Sequence, residues 1–260
     1  MASQFGIRVI DTVLSVENLT KRYGRKEAVS GLNFSVGRSE LIGLLGPNGA
    51  GKSTTLRMIA GSLAPSSGSI RVAGYDIAEQ PVPAKSMIGY LPEVPPLYPE
   101  MTVSEYLRFA CDLKKGQSKK GIAPADGSAL DSAAWVEGLV KDLKIESRMS
   151  VLIRNLSKGY KQRVAIAAAM AGRPELLLLD EPASGLDPRQ IVELRLLLKR
   201  ISENMALIVS SHGIHEISSL CTRIIIMNNG RIVADGKPSE LASAASLEDV
   251  FISLTNTEET

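Results

Sequence analysis

The feature that most constrains this chain is the stretch Gly46-Pro47-Asn48-Gly49-Ala50-Gly51-Lys52-Ser53-Thr54. Its pattern of Gly, four residues and Gly-Lys-Ser is that of a phosphate-binding loop, whose backbone curls so that successive N–H groups point at phosphate oxygens. In such a loop Lys52 contacts the β and γ phosphates, and the Ser53 hydroxyl holds Mg²⁺. A chance match in a chain of this length is expected in about one case in a hundred. The loop therefore predicts a nucleotide site.

The segments on both sides of this loop have the character that it requires. Residues 40–45 read as a buried strand, and residues 53–60 as a helix whose positive N-terminal end faces a bound anion. The leucine run at residues 176–179 is typical of a parallel strand covered on both faces, and residues 206–210 and 223–227 are equally apolar. Strands that alternate with helices, with a phosphate loop at a strand end, predict an α/β domain with a mainly parallel sheet.

Other segments depart from this alternation. Residues 12–18 and 29–36 have a strand-like pattern and are predicted to form antiparallel strands beside the main sheet. Residues 81–99 are rich in proline, so we expect a connector with neither a regular helix nor a central strand. Residues 102–105, Thr-Val-Ser-Glu, form a capping-box pattern that opens a helix, and nearly all of residues 102–171 reads as helical. An inserted helical subdomain is therefore expected.

Composition and charge limit which binding partners and which cellular compartment the sequence predicts. A chain of 260 residues fits one large domain or two smaller ones, and its net charge of +2 does not require nucleic acid or an anionic membrane. Lysines within residues 114–128 would allow a nucleic-acid patch, but without interleaved aromatic residues a solvated loop is favoured. Cys111 and Cys221 are too few and too far apart for a disulfide framework or metal site, which favours the cytoplasm. No apolar run approaches the ~20 residues of a membrane-spanning helix, so we expect a soluble chain that a partner brings to any membrane.

Asp180 and Glu181 follow the leucine run and form a second candidate half of a phosphoryl-transfer site. Asp180 is predicted to hold Mg²⁺ through water, and Glu181 to activate an attacking water as general base. Two carboxylates at a strand end can instead cap a helix. The phosphate loop elsewhere in the same chain favours the catalytic interpretation.

The stretch Leu156-Ser157-Lys158-Gly159-Tyr160-Lys161-Gln162-Arg163 is similar to the signature motif of the ATP-binding cassette (ABC) family. Lys158 and Tyr160 stand where a second glycine and a glutamine are more usual. Ser157 and the Gly159 backbone lie at the start of a predicted helix, which is either an anion site or only a helix cap. With the other motifs in family order, nearly the whole chain resembles the nucleotide-binding subunit of an ABC transporter.

The resemblance implies an α/β fold with a P-loop NTPase (RecA-like) core and a mainly parallel sheet, an N-terminal antiparallel β subdomain and an inserted α-helical subdomain. It implies a single ABC ATPase domain over residues 1–260. The core with its antiparallel subdomain would comprise residues 1–101 and 172–236, the helical subdomain with the signature residues 102–171, and a helical tail residues 237–260.

The resemblance also assigns further site residues. Tyr23 matches the aromatic that stacks on adenine, Asp187 lies in the loop that joins the sites of two subunits, and His212 matches a histidine that contacts the γ-phosphate. Glu93 stands where the family usually has a glutamine that reaches Mg²⁺ and the attacking water. His215 has no match and is interpreted as a surface residue. The implied residues are Glu181, His212 and Lys52 for catalysis, Tyr23, Gly46, Pro47, Asn48, Gly49, Ala50, Gly51, Lys52, Ser53, Thr54, Glu93, Ser157, Gly159 and Asp187 for ATP, and Ser53, Asp180 and Glu93 for Mg²⁺.

The implied activity is ATP hydrolysis, with ATP and Mg²⁺ as cofactors. The residues around Glu93, the variant signature and the closing residues 247–251 look most like ATPases of the ABC-2 type, which are often exporters. The resemblance implies a dimer, with an identical or a different cassette, that drives a membrane permease from its cytoplasmic face; no nucleic acid is expected. Two alternatives are a soluble cassette ATPase that acts on ribosomes or nucleic acid, and a regulatory module that binds ATP without hydrolysis.

Overall fold

The computed structural model describes residues 12–118, 132–214, 218–242 and 246–256. In chain order its strands are β1 (Thr12–Tyr23), β2 (Lys26–Gly37), β3 (Leu41–Leu45), β4 (Ser67–Val72), β5 (Tyr75–Asp76), β6 (Ile88–Leu91), β7 (Leu176–Leu179), β8 (Ala206–Ser211), β9 (Arg223–Asn228) and β10 (Arg231–Gly236). Its α-helices include α1 (Lys52–Ile59), α2 (Pro81–Ser86), α3 (Val103–Ser118), α4 (Ser132–Asp142), α5 (Lys158–Ala169), α6 (Pro188–Ser202), α7 (Pro238–Leu241) and α8 (Leu247–Thr255). Short 3₁₀ helices span Glu146–Arg148 and Ile153–Asn155.

The larger sheet has six strands in the order β10-β9-β3-β8-β7-β6. Its strands from β9 to β6 are parallel, and only β10 pairs antiparallel, with β9. Every residue of β3, β7 and β8 is buried, as expected for parallel strands covered on both faces. The carboxyl ends of β3, β8, β7 and β6 therefore lie side by side at one edge of the sheet. The predicted mainly parallel sheet is confirmed.

The register of these strands determines which residues meet at that edge. Leu91 of β6 lies opposite Leu179 of β7, and Leu179 lies opposite Val209 of β8. The residues that follow, Asp180 after β7 and Ser210 in β8, are therefore neighbours.

The smaller sheet has the order β2-β1-β4-β5 and is antiparallel throughout, as predicted for the first strands. Its apolar side packs with α1 against one face of the larger sheet, where Ile42 and Leu44 of β3 lie. Leu41 and Leu45 of the same strand point to the opposite face, in a second core shared with α3 and α5. The two faces of β3 thus join two separate cores.

Helices α3, α4 and α5 lie between β6 and β7 along the chain. The start of α3 is fixed by the predicted capping box: the Thr102 backbone N–H donates to Glu105 Oε2 at 2.8 Å, and the Glu105 N–H to Thr102 Oγ1 at 3.3 Å. The division into core, helical subdomain and tail remains a prediction.

The prediction of a connector over residues 81–99 is wrong for its first part. Pro81 and Pro83 lie in the first turn of α2, where the absence of an N–H costs no intrahelical hydrogen bond. β6 follows as the edge strand of the sheet, and the later prolines come only after it ends. Residues 92–99 contain neither helix nor strand, as expected.

Candidate nucleotide site

The phosphate loop runs from the end of β3 to the start of α1, and its glycines serve different needs. Gly49 and Gly51 have φ values of +82° and +103°, in the left-handed region that favours glycine. A Cβ on Gly46 would overlap the Met227 carbonyl oxygen of β9. The curled backbone that presents N–H groups to an anion therefore favours glycine at these positions, by conformation at Gly49 and Gly51 and by lack of space at Gly46.

Lys52 is buried inside this loop, with only 6% of its surface exposed. Its Nζ donates to the carbonyl oxygens of Gly46 at 2.6 Å and Pro47 at 3.2 Å, and lies 3.6 Å from Glu181 Oε1. Burial lowers the pKa of Lys52, although the nearby Glu181 carboxylate acts to raise it. The structure thus brings the predicted phosphate-binding cation and the predicted general base together.

Asp180 is buried beneath the loop and accepts two hydroxyl hydrogen bonds at one oxygen. Ser53 Oγ donates to Asp180 Oδ1 at 3.0 Å, and Ser210 Oγ donates to the same oxygen at 2.6 Å. Two of the three predicted Mg²⁺ residues, Ser53 and Asp180, are therefore in direct contact. Sequence reasoning gave Ser210 no role, although a serine in an otherwise apolar buried strand signals a hydrogen-bond partner.

Glu181 is held by contacts on several sides. Its Oε2 lies 2.8 Å from His212 Nδ1, and its backbone N–H donates to Ser210 Oγ at 2.9 Å. Its φ of +47° is in the left-handed region, which is rare for a residue with a side chain. The His212 side chain is 60% exposed, so it lies between Glu181 and solvent.

These side chains open onto a cleft of about 660 Å³. The predicted residues that line it are Tyr23, Asn48, Gly49, Ala50, Gly51, Lys52, Ser53, Thr54, Glu93, Glu181 and His212. Half of the Tyr23 surface is exposed, and Lys21 Nζ lies 5.3 Å from the centre of its ring. Residues that sequence reasoning missed also line the cleft, at the start of β2 and on the β9–β10 turn: Lys26, Glu27, Ala28, Asn229 and Gly230.

The donor set fits Mg²⁺ bound together with a nucleotide. Ser53, Asp180 and Glu93 supply hard oxygen donors, which this ion prefers. Among the described residues, no group of three or more His, Cys, Asp and Glu side chains could hold a metal ion alone. Mg²⁺ usually binds through one or two carboxylates and substrate phosphates rather than in an all-protein cage. Ser53, Asp180 and Glu93 therefore suit an Mg²⁺ ion that is bound together with the phosphates of a nucleotide.

Five predicted ATP residues do not line the cleft: Gly46 and Pro47 at the start of the phosphate loop, and Ser157, Gly159 and Asp187. Ser157 caps α5 and accepts from the Tyr160 N–H at 3.5 Å, and Asp187 caps α6 and accepts from the Gln190 N–H at 2.9 Å. A Cβ on Gly159 would lie 3.0 Å from Gln190 Cδ, so the signature packs against the start of α6. The prediction for His215 concerns a residue outside the described ranges.

The fold and this edge of the sheet define a P-loop ATPase, and comparison with known proteins gives the family. Residues 29–184 match the family model described as ABC transporter. The chain is 37% identical to the linearmycin resistance ATP-binding protein LnrL of Bacillus subtilis (strain 168), over 94% of this chain and 75% of that protein. It is 35% identical to the Nod factor export ATP-binding protein I of Ralstonia nicotianae (strain ATCC BAA-1114 / GMI1000), over 88% of this chain and 68% of that protein. The chain belongs to the ABC transporter family.

A solved structure agrees with this assignment. The "Structure of ATP binding subunit of ABC transporter" superposes with a TM-score of 0.80 at 31% identity, covering 94% of this chain and 99% of that one. The predicted fold class, ABC ATPase activity and ATP as nucleotide are confirmed. ATP-binding subunits of this family act in general with membrane permeases and as dimers. Within the ranges that the structure covers, no helix is both long and apolar enough to cross a membrane.

Proposed function

We propose that this chain hydrolyses ATP at the sheet edge and, paired with a second cassette, drives an export permease from the cytoplasmic face of the membrane. The observation that carries the proposal is the meeting of Lys52, Glu181 and His212 beside the Ser53–Asp180 pair, where Glu181 forms an ion pair with Lys52 and lies within hydrogen-bond distance of His212. Phosphoryl transfer depends mainly on this kind of positioning and charge neutralisation. The named relative that acts in Nod factor export supports the direction of transport.

Each side chain has a role that its position supports. Lys52 neutralises charge on the β and γ phosphates. Ser53, Asp180 and Glu93 would hold Mg²⁺, which would stabilise the charge that develops on the phosphate oxygens. A water oxygen bonds to the γ-phosphorus as the bond to the bridging oxygen of ADP breaks, and the proton of the water passes to Glu181. His212 orients Glu181 and contacts the γ-phosphate.

Dimerisation follows from the separation of the two halves of the predicted ATP site. The phosphate loop lines the cleft, whereas Ser157 and Gly159 lie at a second cavity, of about 220 Å³. We propose that the signature of a partner cassette covers the ATP of this chain. The start of α5, with its N-terminal N–H groups and the positive end of the helix dipole, suits that contact with an anion.

The permease is proposed to dock at an apolar groove of about 460 Å³ beside β6, α3 and α5. Tyr98 lies there, with its ring centre 6.0 Å from that of Tyr106 and 5.6 Å from that of Phe109. Tyr98 and Leu113 are at least half exposed, as expected of an apolar binding surface. Tyr98 in this groove and Glu93 in the cleft belong to the same segment, residues 92–99. This segment would link permease docking to catalysis.

The test is ATPase activity of the purified chain against protein concentration, with Glu181→Gln and with Glu79→Gln as a control. Glu79 is exposed outside the cleft, so its variant makes the same chemical change without altering the site. Turnover per subunit should rise with concentration, and Glu181→Gln should lower it by roughly 100-fold or more while ATP still binds. If Glu181→Gln hydrolyses ATP as fast as the parent chain, Glu181 is not the general base. ATP binding without turnover at any concentration would refute a catalytic homodimer.

A further inference from the structure

Ser210 is a buried hydroxyl at the carboxyl end of β8 that touches both acidic residues after β7. Its side chain donates to Asp180 Oδ1 at 2.6 Å and accepts from the Glu181 backbone N–H at 2.9 Å. The residue has no exposed surface. It does not line the cleft, so any effect on the reaction must pass through its two partners.

The first contact orients the Asp180 carboxylate. Ser53 Oγ, at the start of α1, and Ser210 Oγ, in β8, both donate to Asp180 Oδ1. Neither hydroxyl engages Oδ2, which leaves that oxygen as the acceptor for a metal-bound water. Hydrogen bonds that orient a carboxylate in this way commonly tune metal binding.

The second contact holds the turn that carries the general base. Glu181 has a left-handed φ of +47°, and such a conformation persists in a residue with a side chain only when its surroundings maintain it. The Ser210 oxygen accepts the N–H of Glu181 on one side of this turn, and the Ser184 N–H donates to the Glu181 carbonyl at 3.0 Å on the other. The position of Glu181 therefore depends on the same hydroxyl that orients Asp180.

We infer that Ser210 is a positioning residue that couples the metal-holding carboxylate of Asp180 to the general base Glu181. This inference rests on the proposed function, since it takes the roles of Asp180 and Glu181 from it. The hydroxyl suits this task because it can donate to one partner while it accepts from the other. An alanine can do neither, and it leaves the Glu181 N–H without its partner.

The experiment compares the parent chain with Ser210→Ala and Ser210→Thr. Metal affinity is measured by electron paramagnetic resonance of Mn²⁺ with the non-hydrolysable analogue AMP-PNP, and turnover with Mg²⁺ and ATP. Ser210→Ala should lower Mn²⁺ affinity and kcat each by roughly 10- to 100-fold, with AMP-PNP affinity in the absence of metal unchanged. Ser210→Thr keeps the hydroxyl and should recover most of both losses.

The control is Thr222→Val. Thr222 Oγ1 accepts from the Leu41 N–H at 3.2 Å and donates to the Leu41 carbonyl at 3.1 Å, at the amino end of β3. Removal of this hydroxyl should change thermal stability but neither metal affinity nor kcat. If Ser210→Ala does not fold, Ser210→Cys, of similar size but a weak donor, replaces it and should show the same losses.

Unchanged metal affinity and kcat in the folded Ser210 variant would overturn the inference, as would equal losses in Thr222→Val. An inactive parent chain would instead count against the proposed homodimeric ATPase. The Mn²⁺ measurement needs no turnover, so it still decides the role of Ser210 in that case.

Discussion

Replacing Gly46 with alanine should displace the phosphate loop for steric reasons alone. The backbone of Gly46 lies outside the left-handed region, but an added Cβ would overlap the Met227 carbonyl oxygen and lie 3.0 Å from Ala50 Cβ. An unstrained contact between carbon and oxygen needs roughly 3.3 Å, so the loop or β9 must move by about 1 Å. We expect the free energy of unfolding to fall by about 1–3 kcal/mol. A shift of that size in a reacting group can lower turnover by roughly 100-fold.

Gly49 in the same loop provides a matched comparison. A Cβ there would meet nothing within 4 Å, but its φ is +82°. Alanine at this position should therefore cost about 1–2 kcal/mol through backbone conformation and not through overlap. Asparagine tolerates the left-handed region better, so Gly49→Asn should recover part of the loss, whereas Gly46→Asn should be at least as damaging as Gly46→Ala.

The assay is titration with a fluorescent ATP analogue, together with thermal unfolding of all four variants. Gly46→Ala should bind the analogue more weakly than Gly49→Asn, and its Tm should fall by several degrees. If Gly46→Ala binds as tightly as the parent, the overlap with β9 does not constrain the loop. If asparagine is equally harmful at both positions, the distinction between space and conformation is refuted.

Two further substitutions test the charges around the site and beside the groove. Glu93→Gln removes an exposed carboxylate that lines the cleft, so affinity for ATP without Mg²⁺ should rise by up to about fivefold. The increase in ATP affinity on adding Mg²⁺ should be smaller than in the parent. Calorimetry with and without the metal measures both effects. Lys114→Met removes the amine that donates to the Lys85 and Ile88 carbonyls at 3.3 Å and 3.1 Å, so urea unfolding should show a loss of about 1–3 kcal/mol at neutral pH. Burial lowers the pKa of Lys114 in the folded chain below its value in the unfolded chain. Between these two pKa values the unfolded chain binds more protons than the folded chain, so the free energy of unfolding of the parent rises with pH in that alkaline range. This rise should be smaller in Lys114→Met.

Those parts of the candidate site that are local in sequence could be predicted. The conformation of the phosphate loop could be predicted from the sequence because its glycines and Lys52 lie within a few residues of one another. Asp180 and Glu181 could be placed at a strand end because four leucines precede them. The capping box of α3 is equally local, since both of its partners, Thr102 and Glu105, lie within one turn.

The remaining parts depend on the order of strands in the sheet, which chain order does not give. Ser210 is a partner of Asp180 only because β8 inserts between β3 and β7. Asn229 and Gly230 reach the cleft only because β9 lies on the other side of β3 and turns back through β10. β10 itself was not predicted: it is an edge strand in which no residue is buried, so its apolar pattern is weak.

The second core connects the two halves of the predicted ATP site within one chain. α5 begins beside Ser157, and its residues Val164 and Ile166 pack in the same core as Leu177 and Leu179 of β7, the strand that ends at Asp180. The signature that we propose to bind a partner's ATP is therefore attached through packed side chains to the carboxylates that we propose to act on this chain's own ATP. Because coupling between sites is reciprocal, nucleotide binding in one site of a dimer should change affinity in the other by the same factor in both directions. On this reasoning the dimer, and not the single chain, is the unit in which ATP affinity has to be measured.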